Sequence, residues 1–259
     1  MKQWGFTLEN ITSCWVDGKN ILENINFSFP INNTKAAILP LMGPSGQGKS
    51  TLLYLLAAMK WPNSGKVIWR FPDDTIHQFS ETGNLLTTQQ TIQLRRHLFG
   101  FAFQDSTLSP HLTIIENIAY PLVSQGKTWQ EALDIAEEHF QKILLPSEKK
   151  HQKHLMQSFP SQLSGGQKQR TALAQAIVHN PTVLFADEPT GQLDRRTRKQ
   201  VMGVLKDWVI AGKGQQALIW VTHHHVDDLD LMGIDQFLFI ENQTCSIKER
   251  QWLEEWAKL

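Results

Sequence analysis

Residues 43–51 read Gly43-Pro44-Ser45-Gly46-Gln47-Gly48-Lys49-Ser50-Thr51, a G-x-x-x-x-G-K-[ST] string. An apolar run, Ala36–Met42, precedes it, and a leucine- and alanine-rich run, Ser50–Ala58, follows. Glycines at 43, 46 and 48 let backbone N–H groups converge on one point, at the positive end of the helix that follows. Such a point binds phosphate oxygens. Lys49 then supplies a charge for the β- and γ-phosphates, and the Ser50 hydroxyl is placed to ligate Mg²⁺. A strand, a glycine loop and a helix in this order form the first unit of a parallel α/β sheet, so the loop constrains the fold as much as the chemistry. Pro40 opposes this reading, because it removes a ladder donor from what should be a central strand. The strand is expected nonetheless, since the loop requires it.

The rest of the chain extends the pattern. Phe6–Val16 and Ile25–Phe29 alternate apolar and polar residues as half-buried strands do, with a turn at Asp17-Gly18. Pro62–Gly65 is a turn and Lys66–Phe71 a strand, while the polar stretch Pro72–Thr91 reads as a surface excursion. Leu98–Phe103, Thr182–Ala186 and Ala217–Val221 are short apolar runs of the kind found in buried parallel sheets. Gln167–Val178 is helical, and the chain closes with a strand at Phe237–Ile240, a turn at Glu241–Gln243, a short strand and a helix from about Glu249. Between Ile114 and Phe159 the pattern is helical, notably over Thr128–Leu144, and interrupts the alternation. Strands alternating with helices argue for a parallel α/β sheet, with the helical block between Gln104 and Pro160 as an inserted lobe.

Two further strings carry chemistry. The run Thr182–Ala186 delivers Asp187 and Glu188 to a strand's carboxyl end, a Walker B arrangement. Asp187 is placed to hold Mg²⁺, and Glu188 to polarise an attacking water. Leu163-Ser164-Gly165-Gly166-Gln167 opens the helix Gln167–Val178. A Ser-Gly-Gly turn at a helix N-terminus offers N–H groups, a hydroxyl and a positive dipole, which make a second phosphate-binding surface. One nucleotide per chain already has the first loop, so the natural use of the second is a nucleotide held by another subunit.

With these strings in this order the chain resembles the ABC ATPase family over nearly its whole length. The resemblance implies one α/β domain over 1–259: a P-loop NTPase (RecA-like) core with a parallel sheet and an N-terminal antiparallel β subdomain over 1–103 and 161–259, and an inserted α-helical subdomain over 104–160. The resemblance implies roles for further residues. Gln104, in Phe101-Ala102-Phe103-Gln104-Asp105, matches the Q-loop glutamine, a Mg²⁺ ligand and catalytic-site residue. Thr190-Gly191-Gln192-Leu193-Asp194 matches the D-loop and adds Asp194 to the nucleotide contacts. His223, in Val221-Thr222-His223, matches the switch histidine, although His224 and His225 follow it directly. Trp15 stands where the family places an aromatic against adenine, with Trp4 nearby. The strings Leu94-Arg95-Arg96, Glu116-Asn117-Ile118-Ala119-Tyr120-Pro121-Leu122 and Ala186-Asp187-Glu188-Pro189-Thr190-Gly191 are most similar to the lipoprotein-release, macrolide-export and cell-division members (LolD, MacB and FtsE types). Gln192 departs from the asparagine usual in that group.

The resemblance implies an ATPase that dimerises around two Mg-ATP and drives an integral membrane permease from the cytoplasmic side of the inner membrane. Driving a non-transport process such as cell-wall remodelling would use the same motifs. The expected docking region is Asp105–Leu122, where Leu108, Pro110, His111, Leu112, Ile114, Ile115 and Tyr120 carry more apolar surface than a solvated loop needs. Composition agrees with a peripheral role. Lysine plus arginine equals aspartate plus glutamate at 25 each, so no basic excess points to nucleic acid. No apolar run approaches the roughly 18–20 residues that span a bilayer, and Met1–Phe6 does not read as a signal peptide. Cys14 and Cys245 lie far apart and outside any C-x-x-C pattern, which argues against a disulfide framework. A kinase or GTPase reading lacks both a role for Leu163–Gln167 and an Asn-Lys-x-Asp guanine motif. Lys49→Ala is expected to abolish both ATP binding and hydrolysis, checked by equilibrium dialysis against labelled ATP. Wild-type affinity in this variant would defeat the phosphate-loop assignment.

Overall fold

A computed structural model describes residues 3–15, 18–31, 37–80, 88–103, 107–191, 193–222 and 225–256. Two sheets organise them. The first is antiparallel, built from β1 (Trp4–Cys14), β2 (Asn20–Ile31), β4 (Ser64–Arg70) and β5 (Ile76–Phe79) in the order β2-β1-β4-β5. The second contains β3 (Ile38–Met42), β6 (Phe99–Phe103), β7 (Val183–Asp187), β8 (Ala217–Val221), β9 (Gln236–Glu241) and β10 (Thr244–Glu249) in the order β10-β9-β3-β8-β7-β6. Every recorded pairing in it is parallel except β9–β10, which forms the antiparallel edge.

Pro40 sits in β3 without breaking it. The carbonyls of Ala37 and Leu41 accept hydrogen bonds from β8, so the alternate residues Ile38, Pro40 and Met42 address the β9 side. There the ladder is recorded only at Leu41–Leu238 and Met42–Phe239. The missing donor thus falls where that ladder has not begun.

Four of the helices, α3, α4, α6 and α7, start where a side chain satisfies their first N–H groups. α1 spans Lys49–Leu56 and α2 Thr88–His97. Thr113 caps α3 (Ile114–Ser124) and Thr128 caps α4 (Trp129–Ile143), each in a capping box with the glutamate three residues on. α5 covers Gln152–Gln157, and Ser164 caps α6 (Gly165–Ile177) in a box with Gln167. Asp194 caps α7 (Arg195–Ala211); α8 (His225–Met232) and α9 (Arg250–Trp256) complete the set. Pro121 inside α3 leaves the Asn117 carbonyl without its helical donor. Gln175 Nε2 of α6 donates to that carbonyl at 2.9 Å, which keeps the helix intact and ties it to α6.

Several expectations need correction. The excursion Pro72–Thr91 contains β5 and the start of α2. β5 is a four-residue edge strand, and α2 buries only Thr91 and Leu94, so neither shows a periodic apolar face. β2 runs on past the expected Phe29 through Pro30 to Ile31, tolerable because it is an edge strand. The long helix α7 lies where no helix was expected, although Val201, Met202, Leu205 and Val209 form a helical stripe. α6 starts two residues earlier than expected, with the Gly165-Gly166 pair in its first turn.

The main core fills the space between the sheets and helices. A second buried cluster contains Ile114, Ile115, Ile118, Leu122, Phe140 and Ile143. Trp69, fully buried, joins the two sheets. Its ring lies 5.2 Å from Phe6 of β1, 5.8 Å from Phe99 of β6 and 6.2 Å from Phe185 of β7, and its Nε1 donates to Leu56 O of α1 at 2.9 Å. Trp69→Ala should therefore cost about 3–5 kcal/mol in urea unfolding. Trp69→Phe, which keeps a ring but leaves the Leu56 carbonyl unpaired, should cost about 1–3 kcal/mol. A loss below 1 kcal/mol for the alanine variant would show that the sheets do not depend on this side chain.

Candidate nucleotide site

The carboxyl ends of β3, β7 and β8 carry the site. At the end of β3 the chain turns at Gly43, with φ 138°. A Cβ there would lie 2.1 Å from Ile240 O of β9, so only glycine fits. Gly46 and Gly48 also take positive φ, 76° and 99°, and at Gly48 a Cβ would meet Ile21 and Leu22 side chains. Gln47 Oε1 accepts a hydrogen bond from Asn242 N at 3.0 Å, which pins the loop to the β9–β10 turn. Ser45 and Gly46 stand exposed at the tip, and Pro44 is half-buried. Gly48 is the N-cap of α1 and offers no side chain, so no side chain fills the space at that helix end.

Lys49 is buried and curls back, donating from Nζ to Gly43 O and Pro44 O at 2.8 Å each. Burial pulls its ammonium below the ordinary lysine pKa, opposed by the nearby negative charge of Glu188 and then Asp187. Ser50 Oγ donates to Asp187 Oδ1 at 3.0 Å. Tyr54 OH, one turn further along α1, donates to the other oxygen, Oδ2, at 2.9 Å. Burial, then the hydrogen bond and charge of Asp187, push the Tyr54 phenol up to about 12. Glu188, the next residue, takes φ 49°, a left-handed conformation costing about 1–3 kcal/mol outside glycine. Its N–H donates to Val221 O at the end of β8, and its carbonyl accepts from Gly191 N. Strained backbone thus holds the second carboxylate at the junction of two strands.

Trp15 is half exposed beside the loop. Its Nε1 donates to Thr51 Oγ1 at 3.1 Å, and Lys60 Nζ lies 5.0 Å from its ring centre. Trp15, Ile21, Ser45, Gly46, Gly48, Lys49, Ser50, Thr51 and Glu188 line one cavity of about 270 Å³. The structure therefore brings Trp15, the glycine loop and the Asp187–Glu188 strand end together. A larger cavity of about 970 Å³, between α4 and α7, includes none of the site residues named from sequence.

The Ser164–Gln167 turn lies elsewhere. Gln169 Nε2 donates to Phe103 O at the carboxyl end of β6, and His179 lies against Phe99 O at its start, so α6 runs antiparallel to β6. Its N-terminus is thus level with the glycine loop. β6 and β3 are three strands apart in the sheet, roughly 14 Å at the usual strand spacing. Ser164 and Gly165 are exposed, and Gly166 faces Thr197 of α7 closely. Gln167 is half-buried and binds Glu148 Oε1 through Nε2 at 3.0 Å, beside an Arg170–Glu148 ion pair at 2.6 Å. Asp194, expected among nucleotide contacts, caps α7 by accepting from Arg196 N, Thr197 N and Thr197 Oγ1. The Thr197 hydroxyl and amide hold its carboxyl below the ordinary range. Gln104, His223, His224 and Gln192 lie outside the described residues.

Sequence reasoning missed Tyr54 and Glu148. Tyr54 had a signal, since it lies four residues after Ser50 on the same helical face. Glu148 had none, because its partners come from α6, about twenty residues away.

A nucleotide-binding P-loop ATPase cassette is the class that this architecture and loop define. The comparisons carry this one step further. Residues 22–191 match the sequence family described as ABC transporter. The lipoprotein-releasing system ATP-binding protein LolD of Shewanella frigidimarina is 34% identical over 191 residues, covering 74% of this chain and 72% of that protein. An uncharacterized ABC transporter ATP-binding protein of Methanocaldococcus jannaschii, MJ0796, is 32% identical over 219 residues, covering 83% of this chain and 86% of that one. A dimeric structure of the MJ0796 cassette in a post-hydrolysis state, bound to ADP and Pi, superposes with TM-score 0.75 at 27% identity, covering 94% and 98% of the two chains. The chain belongs to the ABC transporter family as an ATP-binding ATPase cassette.

Tyr54→Phe should lower stability by about 1 kcal/mol, since one oxygen of Asp187 loses its donor. The folded state holds this phenol protonated above the ordinary tyrosine pKa. The stability it contributes is complete below about pH 10 and is lost as pH rises toward about 12. Unfolding midpoints of wild type and variant should accordingly converge over that interval. Parallel pH profiles would show that the Tyr54–Asp187 bond contributes nothing.

Proposed function

We propose that two copies of this chain face each other head to tail around two ATP, as the nucleotide-hydrolysing subunits of a membrane transporter. The placement of α6 carries this reading. A second N–H-bearing turn lies at the carboxyl end of β6, three strands across the sheet from the β3 that carries the glycine loop, so the nucleotide it serves is the one held by the other copy. The MJ0796 cassette, dimeric and bound to ADP and Pi, supports a dimer that holds nucleotide.

In each site the loop N–H groups of Gly43, Ser45, Gly46, Gln47 and Gly48, continuing into α1 through Thr51, surround the phosphates. Pro44 has no N–H to offer, and its carbonyl holds Lys49 before nucleotide binds. Lys49 exchanges its contacts with Gly43 O and Pro44 O for phosphate oxygens. Trp15 stacks on adenine, an interaction worth about 1–3 kcal/mol. Ser50 and Asp187 present a hydroxyl and a carboxylate 3.0 Å apart, hard oxygen donors that suit Mg²⁺, with Gln104 joining them. The ion, when bound, offsets charge on the phosphates. Glu188 accepts a proton from the attacking water, and His223 stabilises charge that develops at the γ-phosphate. Ser164, Gly165, Gly166 and Gln167 of the partner close over it, with Asp194 shaping the segment between. Hydrolysis removes the group that both copies hold, and the dimer loosens.

We further infer that residues 104–160 form the lobe that meets an integral membrane permease at the cytoplasmic face, with 1–103 and 161–259 as the ATPase core. Within Asp105–Leu122 the docking surface is narrower than expected from sequence. Leu108, Ile114 and Ile115 are buried, the latter two in the lobe's own cluster. Pro110, His111 and Tyr120 are exposed, and Leu112 is half-buried. Asn117 holds the preceding loop by donating to Ser109 O, Leu112 O and Thr113 O and accepting from Ser109 N. The permease contact is assigned to Pro110, His111, Leu112 and Tyr120.

Glu188→Gln is expected to bind ATP normally, to lose turnover, and to run as a dimer with Mg-ATP by size-exclusion light scattering, because the amide keeps the shape without the base. Wild-type turnover would remove Glu188 from the mechanism. Tyr120→Glu should leave the subunit's own ATPase within about twofold, since an exposed charge disturbs little. It should lower co-purification with the permease. Unchanged co-purification would place the docking surface elsewhere.

A further inference from the structure

The phosphate chemistry leaves unused a set of buried charges behind the site. Arg198 lies in the first turn of α7 with 8% of its side chain exposed, and Asp228 lies in α8 with none exposed. Arg198 Nη2 donates to the exposed Asp227 Oδ2 at 2.7 Å, and its Nε lies 3.6 Å from the buried Asp228 Oδ1, so the buried pair is Arg198 with Asp228. The other oxygen of Asp228 accepts a short hydrogen bond from the Thr222 hydroxyl, itself buried. Buried ion pairs are a poor route to stability, since apolar residues of similar volume commonly serve as well or better.

Their attachment points suggest a different purpose. Thr222 follows β8 directly before residues 223 and 224, and its N–H donates to Leu41 O of β3, two residues ahead of the glycine loop. α8 begins at His225 and carries Asp228 in its first turn. Asp228 therefore clasps the chain on both sides of residue 223. Arg198 connects that clasp to α7, whose cap Asp194 closes the segment that leaves Glu188. Gly166 at the start of α6 also faces the first turn of α7, through Thr197.

We propose that Arg198, Asp228 and Thr222 are positioning residues for ATP hydrolysis: they fix the backbone on either side of residue 223 against α7, without touching nucleotide. This rests on the reading that His223 acts at the γ-phosphate. Thr222 and Asp228 set where that residue starts from. Arg198 makes the place of Asp228, and with it Thr222, depend on that of α7, and so on the strand end that carries Glu188.

The test uses the full chain with Mg-ATP and measures kcat, KM, ATP affinity and thermal midpoint. Asp228→Asn and Thr222→Val are expected to lower kcat by about tenfold or more, the scale of a sub-ångström to 1 Å misplacement. KM and ATP affinity should stay within about threefold, because the glycine loop is intact. Thr222→Ser, which keeps the hydroxyl, should retain kcat. The paired change Arg198→Met with Asp228→Asn, which removes both charges but keeps an acceptor for the Thr222 hydroxyl, should regain the wild-type thermal midpoint but not kcat, a split that a purely structural ion pair would not produce. His223→Ala is measured alongside. If it loses turnover while Thr222→Val or the paired variant keeps wild-type kcat, the positioning role is overturned and the catalytic reading stands. If His223→Ala itself turns over normally, the catalytic reading of residue 223 fails and takes this inference with it.

Discussion

Both oxygens of the Asp187 carboxylate are committed to one helix, through Ser50 and Tyr54 of α1. Asp187 ends β7, whereas α1 follows β3, and β8 lies between the two strands. The bonds therefore close the phosphate loop's helix onto a strand that is not its neighbour. The loop glycines act from the other end, since Gly43 can approach Ile240 O only without a side chain. Between these two anchors the loop keeps its phosphate-ready shape with Lys49 folded onto its own carbonyls. In the proposed site, binding would exchange lysine contacts and leave the backbone in place, the meaning of preorganisation in a site of this kind.

The same closure explains how a strained glutamate is tolerated. Glu188 at φ 49° sits immediately after the anchored Asp187, and its N–H is taken by Val221 O. With one side fixed by a side-chain bond to α1 and the other by a backbone bond to β8, the left-handed conformation is over-determined by its surroundings. A carboxylate directed by strain at the meeting of two strand ends is a more exact device than one on a free loop. The cost is small against a sheet whose central strands are almost fully buried.

What could be read from the sequence follows the same division. The glycine loop, the Asp187–Glu188 strand end and the Ser164–Gln167 turn were legible because their chemistry demands particular residues at fixed local offsets. The parallel sheet was legible because its strands are continuous apolar runs. β5 and α2 were not, since an exposed edge strand and a helix burying only Thr91 and Leu94 leave no periodic trace. The partners that brace the site were hidden for a different reason. Tyr54 meets Asp187 across 133 positions, Glu148 meets Arg170 across 22, and Arg198 meets Asp227 across 29. No local pattern announces such pairs, because folding alone brings them together. Pro40 shows the converse, a local rule violated at no cost because its nitrogen faces a gap in the β9 ladder.

The helix α6 is where the two buried clusters meet. Leu173, Ala176 and Ile177 belong to the main core, while Ala174 and Val178 belong to the cluster of α3 and α4. Gln175 donates to the carbonyl that Pro121 leaves open in α3, and Gln169 donates to the end of β6. One helix thus carries polar ties to both sides, so the lobe cannot shift against the sheet without loading α6. Its first turn holds Ser164, Gly165 and Gly166, the surface assigned to the partner's nucleotide. Glu148 stands beside that turn, bonded to Gln167 and Arg170. Whatever displaces the lobe must then move the turn, and whatever holds the turn must restrain the lobe. By linkage the two effects are equal in free energy. In the proposed assembly a permease on the α3 surface and a nucleotide held at Ser164 would both bear on α6, the first through the bond of Gln175 to Asn117 O.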